Sequence, residues 1–405
     1  MVKGGTAVSA FFVHFGSVIQ VQKMSDFIFR VSPHVVLGSH MLSRLGQLVS
    51  TWGSRYILVC DPVLKDAGVV EKIRRGLDSR NIECFIFDEI PSAATSETIE
   101  QALTLARSAR VEGVISVGGM KTANIGRALA ALYHEKTDIL NYVDGALLLS
   151  DPLPFIEVPS TMRDPFMLAD RVPIIDPRNN QIKLLKTQNS VCKMVVVDPN
   201  LFVSLTKNQT NAMLLQSFCI AVEAYISTKA NFFSDTLAEK AVQLFHNTVD
   251  GGEGLAAAGT TEFMAAEMGL MSCFAAGASS AGIATSIALA VNARYKLARS
   301  LVSTILLPYI LEDSVRARTE RLGTLGRIMG LAGESTPADE AAEILITDIR
   351  NKIAVTGLPA RLKELGLTID QLASAAEDAG SLETMSSLPR SMTSDDIFNL
   401  LKQAY

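Results

Sequence analysis

The chain has 405 residues and a formal net charge of −5, from 37 basic and 42 acidic side chains, and 48% of its residues are hydrophobic. At roughly 100 to 200 residues per domain, this length predicts two or three domains. A charge so close to neutral, without a run of Lys or Arg, argues against proteins that bind nucleic acids or acidic membranes by neutralising phosphates. We therefore expect a small-molecule substrate or a protein partner, and neither nucleic acid nor membrane.

The cysteines and the N-terminus indicate a cytoplasmic protein. The five cysteines are odd in number and never spaced as CxxC, so neither a disulfide framework nor a thiolate zinc site is indicated. Residues 7–21 imitate a signal peptide but lack a convincing basic region and a small-residue cleavage pattern. A second initiator-like residue, Met24, opens the first globular pattern, so residues 1–23 are predicted to be a disordered or mis-started extension.

Residues 55–130 alternate short apolar runs with longer amphipathic stretches. The predicted strands are RYILVCD (55–61), IECFIFDEI (82–90) and VEGVISVGG (111–119), and a helical pattern follows each one. This alternation predicts right-handed crossovers and a parallel sheet. Ligands of such sheets bind beyond the carboxyl ends of the strands.

The pattern changes to short β segments with prolines between 151 and 200, and it is almost entirely helical after Thr206. The charge-free stretch 268–293 is long enough to cross a bilayer, but its many small residues favour buried core helices. The predicted fold class is α/β plus all-α. An N-terminal parallel-sheet, dinucleotide-binding-like domain (24–204) precedes a helical domain (205–405), with a cleft between them as the default ligand site.

The strand ends offer candidates for binding a dinucleotide. Asp61 can accept hydrogen bonds from both ribose hydroxyls and repel a 2′-phosphate, or it closes a plain Asp-Pro turn. Gly118 and Gly119 let a pyrophosphate approach the backbone amides of the next helix, or they form only a tight turn. Asn124 and Arg127, on the first turns of that helix, are expected near any bound phosphate.

A loop at the predicted domain junction, Pro159–Met167, follows a strand. Ser160 and Thr161 can donate hydrogen bonds to a phosphate or to the nicotinamide amide. Arg163 can pair with an anion, or Arg163 and Asp164 merely solvate a turn.

Several blocks, in the right order, resemble the iron-containing (group III) alcohol dehydrogenases, relatives of dehydroquinate synthase and glycerol dehydrogenase. The blocks are VVVDPNLFVSL (195–205), AVEAYIS (221–227), TILLPYILE (304–312) and the tail from GLPARLKELGL to LPRSMTSDDIFNLLKQAY. The resemblance covers residues 26–405. It implies a homodimer with a dinucleotide domain, a helical domain carrying a divalent metal, and hydride transfer between NAD(P) and an alcohol or aldehyde in the cleft.

The nucleotide-binding pattern of the family is only partly kept. Its G-G-G-S-x-x-D loop matches GGMKTAN, which retains two glycines and has Asn124 in place of the aspartate. Its T-T-A-G-T-G-S-E loop matches STMRDPFM, which retains Thr161 but neither glycine. Asp61 matches an acid associated with NAD preference, and Lys183 matches a lysine near the cofactor. The resemblance thus implies NAD(P), with NAD slightly favoured.

The metal ligands of the family are missing from this sequence. The aspartate and histidine that precede the E-A-Y block correspond to Gln216 and Ile220, counting back from Glu223. An ungapped count places the two later histidines at Arg294 and Arg299, and the last histidine of the chain precedes that region. Arginine keeps its proton and cannot bind a metal ion. No divalent metal is therefore expected.

Two functions stay open. A metal Lewis acid contributes several kcal/mol, and Arg294 and Arg299 can replace part of this as fixed cations facing a developing oxyanion or a substrate carboxylate. The chain would then be a divergent, metal-independent NAD(P)-linked oxidoreductase acting on a small carbonyl or alcohol. Alternatively, both arginines are ordinary charges at a dead site, and the chain is a non-catalytic family member with an assembly or regulatory role. A normal metal-dependent dehydrogenase would require a tightly held ion.

Overall fold

A computed structural model of the chain describes residues 33–90, 93–249 and 261–405. The predicted extension at 1–23 lies outside the described residues. In chain order the strands are β1 (His34–Leu37), β2 (Arg55–Cys60), β3 (Glu83–Phe87), β4 (Gly113–Gly118), β5 (Phe155–Pro159), β6 (Arg171–Asp176), β7 (Gln181–Lys186) and β8 (Cys192–Val197). The helices among them are α1 (Leu45–Val49), α2 (Pro62–Asp66), α3 (Val69–Asp78), α4 (Ser96–Ser108), α5 (Met120–Leu132) and α6 (Ile139–Val143).

Six of these strands form a parallel sheet in the order β1-β8-β5-β4-β2-β3. Its central strands are mostly apolar because helices cover both faces; every residue of β4 and β5 is buried, including Ser116 and Glu157. The other two strands, β6 and β7, pair as an antiparallel hairpin. The predicted parallel α/β half is confirmed.

The second half of the described chain is helical. Its helices are α7 (Lys207–Ile226), α8 (Phe232–Val249), α9 (Thr261–Ala278), α10 (Ile283–Tyr295), α11 (Arg299–Ile328), α12 (Ala338–Thr356), α13 (Ile369–Gly380) and α14 (Ser394–Gln403). Short 3-10 turns occur at Met41–Arg44, Pro199–Ser204, Leu362–Leu365 and Glu383–Ser387. The predicted sequence of an α/β half followed by an all-helical half is therefore confirmed.

The charge-free stretch 268–293 forms the end of α9 and nearly all of α10, and most of its residues are buried. Within the described ranges, no single helix combines the length and hydropathy of a membrane span. Only α9 and α10 together meet that criterion, as a pair bent by 99°.

The loop that follows β5 packs against the helical half. The Ser217 hydroxyl on α7 donates a hydrogen bond of 2.6 Å to the Met162 carbonyl oxygen. A Cβ atom added at Gly269 on α9 would lie 2.5 Å from the same oxygen, so only glycine allows this close approach. Two helices, α7 and α9, thus fix the position of the loop.

Candidate functional site

Several of the residues predicted to bind a nucleotide lie together at one edge of the sheet. Strands β2, β4 and β5 are neighbours, and their carboxyl ends lie side by side. The Asp61 amide donates to the Val117 carbonyl at 3.1 Å, and the Ser160 amide donates to the Gly118 carbonyl at 2.9 Å. Asp61, Gly118 and Ser160 therefore lie together where a parallel sheet binds its ligands.

The start of α5 forms a cradle with unsatisfied polar groups. Gly118 has φ +155°, and a Cβ atom there would lie 2.7 Å from Thr122 Oγ1. Gly119 is the N-cap of α5 and provides no side-chain cap, and a Cβ atom on it would meet only Thr161 Oγ1, at 3.4 Å. The hydroxyls of Thr122 and Thr161 are buried without a hydrogen-bond partner in the described parts of the chain. Uncapped amides and free hydroxyls at a helix N-terminus suit a phosphate.

Asp61 and Lys121 place opposite charges beside this cradle. The Asp61 carboxylate caps α2 by accepting a hydrogen bond of 3.3 Å from the Val63 amide, as in the Asp-Pro turn alternative. It also lies 3.8 Å from Lys121 Nζ, and a quarter of each side chain is exposed. The cap leaves accessible carboxylate surface, so the ribose role of Asp61 stays a prediction.

The structure does not bring Asn124 or Arg127 to the cradle. Asn124 is buried, and its amide nitrogen donates to the Pro173 carbonyl of β6 at 3.1 Å. Arg127, 1% exposed, donates to Glu157 at 2.8 Å and to Asp164 at 3.0 Å. Because both side chains face the interior of the fold, the expectation that Arg127 lies near a bound phosphate is wrong, and Asn124 supports the β6–β7 hairpin.

Lys183 lies in β7, beside acidic side chains of the hairpin region. Hydrogen bonds from Arg178 lower the pKa of Asp144 and of Asp176, and the charge of Lys183 adds to this effect. Its surroundings are therefore acidic, and its predicted contact with a cofactor stays a prediction.

Arg127, Glu157 and Asp164 form a buried cluster of one cation and two carboxylates. Burial raises the pKa of Glu157 to about 7, because the loss of solvation and the repulsion from Asp164 outweigh the attraction of Arg127. Burial disfavours the charged form of Arg127 as well, but the charges of Asp164 and Glu157 outweigh it and raise its pKa. Asp164 is 2% exposed, so it does not solvate a turn.

Arg163 and Arg299 are half-buried cations that lie close enough for the charge of one to act on the other. Burial, together with the charge of Arg299, lowers the pKa of Arg163 to about 10. Burial also lowers the pKa of Arg299, although Asp164 opposes this. No hydrogen bond or ion pair engages either guanidinium within the described ranges. Two unpaired like charges in a poorly solvated place are costly unless an anion joins them.

Arg294 is not the free cation that the sequence comparison suggests. Its guanidinium makes a two-point ion pair with Asp378 on α13, through Nε and through Nη2, the latter at 2.9 Å. Gln181 of β7 donates to the same carboxylate at 2.9 Å. Arg294 therefore ties α10 to α13, and the second cation near Arg299 is Arg163. Counting along the sequence could not place Arg163 near Arg299, because Arg163 lies in the other half of the chain.

The positions that correspond to the metal ligands of the family, and the glutamate next to them, have other side chains or other roles in this structure. Gln216 and Ile220 lie one turn apart on α7. Glu223, on the next turn, instead caps α10 by accepting hydrogen bonds from the Ala284 amide at 2.6 Å and the Thr285 hydroxyl at 2.6 Å. Among the residues that the structure describes, no group of three or more His, Cys, Asp or Glu side chains is placed to hold a metal ion.

A cavity of about 490 Å³ adjoins the far end of the loop, at Pro165–Ala169, and is also lined by Arg127 and Cys192. Of the residues expected near a bound nucleotide, Arg127 lines it and the others do not, and neither Arg163 nor Arg299 does. The two arginines of the cavity, Arg127 and Arg171, are already paired with carboxylates. We therefore place the candidate site at the sheet edge.

Comparisons with known proteins agree with this architecture. The family model for iron-containing alcohol dehydrogenase matches residues 32–199, and the model for the C-terminal region of the Fe-containing alcohol dehydrogenase family matches residues 211–405. Long-chain-alcohol dehydrogenase 1 of Geobacillus thermodenitrificans is 26% identical over 370 residues, covering 88% of this chain and 90% of that protein. NAD-dependent methanol dehydrogenase of Bacillus methanolicus is 22% identical over 384 residues, covering 93% and 99%.

A crystal structure of 1,3-propanediol oxidoreductase shares the fold, with a TM-score of 0.87 at 22% identity over 94% of this chain and all of that one. The two family models match both halves of this chain in the expected order, and the relatives align over nearly its whole length. The protein therefore belongs to the iron-containing alcohol dehydrogenase family of oxidoreductases.

Proposed function

We propose that this protein is an NAD(P)-linked oxidoreductase that interconverts a small carbonyl compound and its alcohol without a divalent metal. The observation that carries the proposal is the cradle at the start of α5, where two adjacent glycines and two unpartnered buried hydroxyls face the end of the sheet. A Cβ atom at Gly118 would crowd Thr122, and a side chain on Gly119 would fill the space that a pyrophosphate needs. Family membership supports the same reaction class.

Each group at the sheet edge has a defined task in nucleotide binding. The amides of α5 and the Lys121 ammonium neutralise the pyrophosphate, and the Thr161 hydroxyl supplies a donor on the opposite side. The Asp61 carboxylate accepts hydrogen bonds from ribose hydroxyls, which favours NAD over NADP because a 2′-phosphate would meet a negative charge. When bound, the reduced nucleotide supplies the hydride that, with one proton from solvent, converts a carbonyl into an alcohol and leaves NAD(P)⁺.

The chemistry of the aligned positions supports independence from metal. A divalent ion needs several nitrogen, oxygen or thiolate donors, whereas Ile220 offers none and Arg299 carries a fixed proton. These side chains do not fit the metal of the family. A guanidinium beside the substrate, however, stabilises negative charge on a reacting oxygen by electrostatics and by hydrogen bonding. This is the part of Lewis-acid catalysis that a protein can supply by itself.

The test separates nucleotide binding, turnover and metal content. We expect NADH to raise the melting temperature of the purified protein, and turnover with aldehydes to persist after chelation, with far less than one metal ion per chain. Gly119→Asp should weaken NADH binding at least about tenfold, because it adds bulk and negative charge to the phosphate cradle. Gly333→Asp is the matched control, because Gly333 is exposed and a Cβ atom there would meet only Thr336 Oγ1, at an ordinary contact distance of 3.7 Å.

Three results would overturn the proposal. No response to any nicotinamide nucleotide at millimolar concentration would remove the cofactor. Turnover that requires about one bound ion per chain would remove metal independence. Nucleotide binding without turnover on any aldehyde or alcohol would favour the non-catalytic alternative. The proposal includes a cytoplasmic homodimer, and sedimentation velocity tests its oligomeric state.

A further inference from the structure

We propose that Arg163 and Arg299 bind a carboxylate of the substrate, so that the protein acts on carbonyl compounds that carry a carboxylate near the reacting carbon. This rests on the proposed oxidoreductase function, since it assigns the substrate class of the same cleft. It gives Arg163, for which the sequence indicates pairing with an unspecified anion, a defined ligand, and it replaces the pair of Arg294 and Arg299.

The two guanidiniums lack partners. The other half-buried arginines of the helical half each have a carboxylate or a backbone carbonyl as partner: Arg294, Arg318, Arg321, Arg327, Arg350 and Arg390. Arg299 and Arg163 are exceptions in the described part of the chain. Two like charges that are partly removed from water repel each other, so an anionic ligand is the natural complement.

The backbone of Arg163 is held on both sides. The residue before it, Met162, is fully buried and its carbonyl oxygen accepts a hydrogen bond from Ser217. The residue after it, Asp164, is buried and paired with Arg127. The guanidinium is joined to this backbone by several rotatable bonds, so the anchors fix the point from which the side chain extends and not the guanidinium itself. A fixed backbone lowers the free energy of ordering Arg163 around a carboxylate.

Arg299 lies at the N-terminus of a long helix. It is the first residue of α11, and the N-cap residue Ala298 provides no side-chain hydrogen bond to the first turn. A carboxylate held by Arg299 would therefore also lie near the positive end of a long helix. The nearest acid that acts on Arg299 is Asp164, and that carboxylate is already paired with Arg127. The region keeps a net positive charge for a ligand to neutralise.

The experiment compares ligands that differ only in their charged group. With NADH present, malonate should raise the melting temperature of the protein at millimolar concentration, and its neutral analogue malonamide should not. In turnover, 4-oxobutanoate should be preferred over butanal, an aldehyde of the same chain length, by about 100-fold in kcat/KM. Arg163→Gln and Arg299→Gln should each remove most of both effects and leave the Kd for NADH within about twofold.

Controls keep the outcome interpretable. Arg316→Gln removes the same charge from an exposed position and should change nothing. Arg299→Lys retains the charge and should restore part of the malonate effect if the glutamine variant folds poorly. Equal stabilisation by malonate and malonamide, or an Arg163→Gln variant that discriminates like the wild type, would overturn the inference.

The two proposals fail in different ways. If the arginine variants lose NADH binding instead, the pair binds a nucleotide phosphate and the substrate assignment is wrong. If NADH binds and the carboxylate has no effect, only this inference fails. If no nucleotide binds at all, the proposed function fails, and the response to malonate can still be measured without nucleotide.

Discussion

The substitution Glu157→Gln is expected to change how the stability of the protein depends on pH. Glu157 shares one buried cation, Arg127, with a second buried carboxylate, Asp164. Glutamine keeps the shape and a hydrogen-bond acceptor for Arg127, but it carries no charge. It therefore imitates the protonated form of Glu157 at every pH.

The sign and size of the effect follow from the pKa. Burial raises the pKa of Glu157 from 4.5 to about 7, so between these values the folded state binds more protons than the unfolded state. The free energy of unfolding of the wild type therefore falls as the pH rises through this window. At about 1.4 kcal/mol per unit, the penalty above pH 7 reaches roughly 3 kcal/mol at most. Glu157→Gln lacks this penalty.

The assay is urea denaturation of both proteins at pH 5, 6, 7 and 8. The free energy of unfolding of Glu157→Gln minus that of the wild type should rise across this range, whatever its value at pH 5. Taking the difference cancels the titration of the groups that do not interact with Glu157. Glu100→Gln, at an exposed glutamate of α4, is the control for removing a surface charge. A difference that stays flat or falls with pH would refute the argument that burial and Asp164 dominate the pKa of Glu157.

Two further substitutions test how the halves of the chain are joined. Gly269→Ala places a methyl group 2.5 Å from the Met162 carbonyl oxygen. It should lower the free energy of unfolding, measured by urea denaturation, by about 1 to 3 kcal/mol. An unchanged urea midpoint would mean that the neighbouring atoms move aside without a cost in free energy. Glu223→Ala removes the carboxylate that caps the start of α10 at Ala284 and Thr285. It should lower the free energy of unfolding by about 2 kcal/mol in the same measurement. Glu223→Gln should lower it less, because glutamine still accepts a hydrogen bond. Equal losses in the alanine and glutamine variants would contradict the capping role.

The sheet was predictable from sequence because its signal is local. Each central strand is a short apolar run, and the helix that follows is amphipathic, so the alternation alone indicates a parallel sheet. The carboxyl ends of neighbouring strands then meet by geometry, which is why Asp61, Gly118 and Ser160 lie together. The buried halves of α9 and α10 were predictable for the same reason, since a charge-free run of small residues suits a crowded helical core.

The charged groups were not predictable in this way. The carboxylate partners of Arg127 lie on strand β5 and in the loop after it, and the location of Arg127 in the helix after Gly119 suggests a phosphate contact that its burial rules out. The aligned position of Arg294 suggests a cation in the cleft, but a carboxylate on α13 binds it. Which charges remain free depends on contacts between residues far apart in sequence, and periodicity carries no information about them.

The loop after β5 connects these observations into one arrangement. Thr161 lies against Gly119 at the start of α5, the charge of Arg299 acts on Arg163, and the residue between Thr161 and Arg163 is anchored by Ser217 of α7. Asp164 then fixes the backbone on the other side of Arg163 through the buried cation Arg127. The glycines of the family pattern fall at the positions of Arg163 and Pro165, whereas here Arg163 stands between a Met held by packing and an Asp held by an ion pair. Under the two proposals, this anchored backbone suits the recognition of a charged substrate beside a nucleotide, because part of the free energy of ordering the site is spent during folding and not during binding.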